Sequence, residues 1–167
     1  MGPLRFDALF AQTRQTYLAG MKHLILALSL AIPSATFAEV IVHDPYARVA
    51  TPMARVGAAF LHIENTSDVD VQLIAVESDA AKRVEIHTHT ETDGIMKMHE
   101  IEGGITIPAG GMHMLKRGGD HLMFMGLADR WADGDMIPAT LVFEHAKPIT
   151  IEIPVDLDRK PDPHESH

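Results

Sequence analysis

Between Glu39 and Val155 the chain never sustains a helical repeat. It breaks into short apolar and β-branched runs, each closed within a few residues by Gly, Pro, Asn or Asp. Runs of this length and spacing indicate strands, because a helix needs apolar residues every three to four positions over ten or more residues. The pattern predicts strands at Val40–Val42, Gly57–Glu64, Val69–Val76, Arg83–Thr88 and Ile95–Ile101. Further strands are predicted at Ile105–Ile107, Met112–Leu115, His121–Met125, Ala139–His145 and Ile149–Val155. Asp44-Pro45 reads as the break that ends the first strand, and only Asp79–Lys82 and Ala128–Trp131 read as turns of helix. The expected fold is therefore an all-β sandwich or barrel in a single domain.

Composition narrows the chemistry. With 46% apolar and 22% charged residues the chain can bury a core. It contains no cysteine, which excludes a disulfide framework, a thiolate zinc site, a thiol nucleophile and a blue-copper centre. Its net charge of −9 argues against nucleic acid, whose backbone is held mainly by Lys and Arg.

The N-terminal residues carry an address rather than a fold. Lys22 and His23 precede the stretch Leu24–Ile32, apolar except for Ser29, and small residues then lead to Ala38. This is the three-part layout of a secretory signal, and its apolar part is too short to span a bilayer of roughly 30 Å. Met21 reads as the true start, with residues 1–20 an upstream extension. The expected organisation is thus 1–38 extension plus cleaved signal, 39–157 a β-sandwich domain, and 158–167 a disordered polar tail. Export to the periplasm without stable membrane insertion follows.

Candidate chemistry concentrates between His87 and Met125, which hold five of the eleven histidines and six of the ten methionines. Alternate residues of a strand share a face. In the predicted strands His87 pairs with His89, Met96 with Met98, and His121 with Met123 and Met125. The short Glu91–Gly94 connection reads as a hairpin that brings His87 and His89 beside Met96 and Met98. Thioethers are soft ligands that favour Cu(I), and imidazole serves copper as well as zinc. A His/Met set without thiolate therefore suits Cu(I) in an oxidising compartment, whereas zinc would recruit Cys, Asp or more His. For His89, Met96 and Met125 packing or a supporting role stands beside ligation as an open alternative. Packing is expected for Met112, His113 and Met114. His43, His62, His99 and His145 read as ordinary surface or hydrogen-bonded histidines, and His164 and His167 could add weak capture in the tail.

At these residues the sequence resembles the periplasmic copper(I) chaperones of the PCuAC type. GAAFLHIEN, VEIHTH, GIMKM, IPAGG, LKRGGDHLMFMGL and FEHAKPITIEIPV carry the resemblance, over about Val40 to Pro154. That family's motif is His, ten residues, Met, about twenty-one residues, then His-x-Met. Here ten residues separate His87 from Met98, and twenty-two separate Met98 from His121, with Met123 closing the motif. The extra residue is assigned to the Gly103-Gly104 turn. The resemblance implies a cupredoxin-like/Ig-like Greek-key β-sandwich in which His87, Met98, His121 and Met123 hold Cu(I). It also implies delivery to cytochrome oxidase assembly, with a Sco-type thiol protein or an oxidase subunit as acceptor. A monomer is the expected state.

Two rival readings remain at this level. One is a metal-free binding or structural sandwich whose methionines are core. The other is a metal-dependent enzyme, for which the chain offers no H-E-x-x-H and no G-x-S-x-G, so no catalysis is expected. Imidazole binds a metal only when neutral, so affinity should weaken as pH falls below the ordinary imidazole range of about 6.5.

Overall fold

The computed structural model describes residues 38–92 and 94–160. The expected signal and extension, Ala38 excepted, lie outside the described residues, as do residues 161–167 of the polar tail. Among the described residues ten strands form: β1 (Val40–Val49), β2 (Val56–Asn65), β3 (Val71–Glu77), β4 (Ala81–Thr92), β5 (Ile95–Glu100), β6 (Ile105–Ile107), β7 (Met112–Leu115), β8 (His121–Leu127), β9 (Met136–Glu144) and β10 (Ile149–Pro154). They build two antiparallel sheets. The larger has the order β1-β2-β8-β4-β5 with β7 also paired to β2, and the smaller has the order β10-β9-β3-β6. The chain crosses repeatedly between the sheets, and the all-β sandwich expected from the sequence is the fold observed.

Alternation explains which residues meet between the layers. From the larger sheet Leu61, Ile63, Leu122 and Phe124 point inward and are buried, facing Leu73 and Leu141 of the smaller. Each such side chain contributes on the order of 1.5–3 kcal/mol by leaving water. One end of the core is closed by Trp131, which packs edge-on against Phe124 with ring centroids 5.2 Å apart. Gly57 is required there, because a Cβ at that position would lie 2.3 Å from the indole.

Three local expectations are corrected. Asp44-Pro45 does not end the first strand. β1 continues to Val49 through a bulge between His43 and Tyr46, with Asp44 at φ 49°. An extra residue opposite a two-residue step absorbs the break and resets the alternation. Asp79–Lys82 is not helical, because Ala81 already pairs with Leu127 in the β4–β8 ladder. Nor is Ala128–Trp131, where the buried indole holds the chain in a bend.

Candidate metal centre

The outer face of the larger sheet carries the histidines and methionines. On β8, inward Leu122 and Phe124 are fully buried in the core, which turns His121, Met123 and Met125 to the other face. On β4 the inward Ile86 does the same for Glu85, His87 and His89. β8 lies directly beside β4, with His87 opposite His121 and Glu85 opposite Met123. β5 flanks β4 on its other side, with Met98 opposite His89 and Glu100 opposite His87. The four residues singled out by the motif therefore stand on one face of three adjacent strands. His121 and Met123 are buried at 3% and 9% exposure, while Met98 is 47% exposed. The site thus has a closed floor and an open side.

The imidazoles are held so that one nitrogen of each remains bare. His87 Nε2 donates to Glu85 Oε2 at 2.7 Å, because a carboxylate can only accept. Its Nδ1 is buried without a partner among the described residues. His121 Nδ1 donates to the Gly119 carbonyl at 2.9 Å, which leaves Nε2 as the lone-pair nitrogen. His89 Nδ1 reaches the same carbonyl at 3.3 Å, and its ring stacks on that of His121 at 5.0 Å. The His87 and His121 ring centroids are 6.1 Å apart. A partner oxygen on one nitrogen is how metal-binding histidines are oriented.

Charge is arranged around this pair. Burial penalises the charged ring of His121 and holds its pKa below the ordinary value of 6.5. The Gly119 carbonyl opposes the shift, and the neighbouring His89 and His87 reinforce it. Glu85 also accepts from Arg83 Nε at 2.7 Å, and an Arg83 Nη faces Met125 Sδ at 3.6 Å. His113 donates to Asp120 Oδ2 at 2.9 Å and anchors the loop that presents Gly119. Neither Glu85 nor the Gly119 carbonyl was singled out from the sequence. Glu85 stands in the same alternation as His87, two residues away, and that signal could have found it.

Among the described residues no group of three or more His, Asp or Glu side chains is gathered closely enough to hold a metal.

A two-layer sandwich of this topology is the architecture of PCuAC domains. The chain superposes on the copper-bound PCuAC domain from PmoF2 with a TM-score of 0.60 at 20% identity, covering 73% of this chain and 96% of that one. It also superposes on CuI-DR1885 from Deinococcus radiodurans with a TM-score of 0.55 at 28% identity, covering 70% and 79%. The resemblance to PCuAC-type chaperones is thus confirmed in the fold. Residues 40–155 match the family described as "Putative lipoprotein LpqE-like", and the chain belongs to that family. A curated relative, "Putative lipoprotein Lxx21020" of Leifsonia xyli subsp. xyli, is 33% identical over 98 residues. The match spans 59% of this chain and 59% of that relative's length.

Proposed function

We propose that this protein is an exported copper carrier that binds one Cu(I) through His87, Met98, His121 and Met123. One observation carries the reading: His87 and His121 face each other across a ladder, each with one nitrogen tied to an oxygen and the other bare. Met123 lies beside them on the same face, and Met98 stands one strand away. Copper bound to a domain of this fold in PmoF2, and Cu(I) in the related DR1885, support the choice of cargo. The relatives' names as lipoproteins support export to the periplasm. These 167 residues hold no cysteine, so a lipid on cysteine sulfur is not available to them.

Transfer follows from ligand softness. Thioether and imidazole are neutral, so the site lacks a thiolate anchor, and Met98 lies on its open side. An acceptor thiol gives up its proton to water as its sulfur attacks Cu(I) from that side, Met98 leaves first, and the metal departs in the oxidation state in which it arrived. A Sco-type thiol protein in cytochrome oxidase assembly is the acceptor this chemistry suits. The role is carriage, with no bond made or broken in a substrate.

The test is a Cu(I) titration against a chromophoric chelator, with a Met98→Leu/Met123→Leu variant alongside. Leucine removes sulfur while keeping volume, at a cost below about 1.5 kcal/mol per site. The parent should hold a tight equivalent that the variant loses while still melting cooperatively. Undiminished binding by the variant would mean these methionines are packing.

A further inference from the structure

A second His/Met constellation occupies the same outer face, on β1, β2 and β7. The β1 bulge sets His43 outward, opposite His62 on β2. His62 is in turn opposite Met114 on β7, and the neighbouring row places Glu64 opposite Met112. His43, His62 and Met114 thus form one row across three strands, with Cβ atoms about 5 Å apart between neighbours. Met112 and Met114 are 50% and 48% exposed, so neither thioether fills the core. His43 Nε2 donates to Glu64 Oε2 at 2.7 Å, which leaves Nδ1 as its lone-pair nitrogen. Among the described residues His62 has no hydrogen-bond partner.

We propose that His43, His62 and Met114, with Met112 beside them, form a second site for a soft monovalent cation, Cu(I). The plan repeats that of the first centre: a histidine tied at Nε2 to a carboxylate, a second histidine opposite it across a ladder, and thioethers on the same face. His43, His62 and Glu64 do not make a metal cage by themselves. Sulfur completes the set, and thioether sulfur selects Cu(I) over zinc. The ligands are neutral, and the Glu64 carboxylate beside them offsets the charge of the ion. The site is open to solvent where the first has a buried floor, so it binds more weakly and exchanges faster. Binding is ligand exchange with water, without electron transfer. This inference does not rest on the ligand set proposed for the first centre.

The test uses the full chain with ¹³C-labelled methionine methyls, titrated with Cu(I) to two equivalents without oxygen. The Met114 and Met112 methyl signals should move with an equivalent at least tenfold weaker than the first. His62→Asn and Met114→Leu, both at partly exposed positions, should abolish that phase and leave the Met98 and Met123 shifts intact. Met98→Leu/Met123→Leu should keep one equivalent, reported at Met114. Static Met112 and Met114 methyls through two equivalents, or a second phase unchanged in both folded variants, would overturn the second site. Failure of the first centre would show instead as unmoved Met98 and Met123 methyls in the parent, so the two ideas fall separately.

Discussion

At the scale of single residues, Glu85 decides which nitrogen His87 offers. Its carboxylate accepts from the His87 ring at 2.7 Å and from Arg83 at the same distance. The proton is thereby fixed on Nε2, and Nδ1 keeps the lone pair that the proposed site assigns to the metal. Glutamine at this position can donate its amide to Nε2 instead, which moves the ring proton to Nδ1 and blocks the lone pair. Glu85→Gln should therefore weaken Cu(I) binding by about 10–100-fold, read by chelator competition, with the apo circular dichroism unchanged. Equal affinity in both proteins would sever Glu85 from the site. This dependence was hidden in the sequence, where Glu85 is one acidic residue among 23 Asp and Glu. The histidines and methionines were conspicuous because they crowd one window.

At the scale of elements, turns and the β1 bulge set where the ligand strands lie. Between Met98 and His121 the chain leaves one sheet for β6 of the other and returns, and the Gly103-Gly104 turn makes the first crossing. Both glycines have φ 84°, a region where a side chain costs on the order of 1–2 kcal/mol. At Gly103 an added Cβ meets nothing within 4 Å, whereas at Gly104 it would lie 2.1 Å from the Leu73 carbonyl oxygen. Gly103→Ala should lower the melting temperature modestly and Gly104→Ala substantially more, with Cu(I) affinity in the folded fraction unchanged. Matching losses in thermal scans would remove the close approach to β3 as the cause. Asn65 is a second such device. It is fully buried at the end of β2, and its amide donates to the Val69, Ile107 and Pro108 carbonyls at 2.7, 3.1 and 3.1 Å. That amide ties the end of β2 to the turn after β6, just ahead of β7. Strand identity was largely legible, since each of the ten predicted runs overlaps an observed strand. The bulge was not, because Asp44-Pro45 looks locally like a terminator and only pairing with β2 carries the strand past it.

At the scale of the whole molecule, burying His121 links the proposed metal face to folding. In the unfolded chain this ring takes up a proton near its ordinary value of 6.5, while in the native sandwich burial holds its pKa lower. Below that ordinary value the unfolded state binds more protons, so stability falls with pH until the native ring also protonates. Above it the contribution is fully present. The melting temperature of the metal-free protein should decline between about pH 7 and pH 5, a range bracketing the ordinary imidazole value. In His121→Leu the decline should be shallower. Identical slopes in the two proteins would assign the decline to other groups. In the proposed site, proton competition for the metal at His121 likewise begins below the usual imidazole range.

The sequence by itself determined where most strands fall, the face each side chain takes within an unbroken strand, and the soft chemistry of the window from His87 to Met125. All three are local: alternation is set by the backbone over a few residues, and ligand softness by the atoms of one side chain. Tertiary structure alone decided that β8 lies between β2 and β4, so that His121 faces His87 and Met123 faces Glu85. It alone decided that β7 returns to β2, which sets Met114 beside His62 and, through the β1 bulge, in line with His43. Strand order is fixed by which apolar faces fill the space between two sheets, and that is settled by contacts among residues far apart in the chain. For this reason the alignment of His43 and His62 with Met114 emerges only once the sheet is assembled.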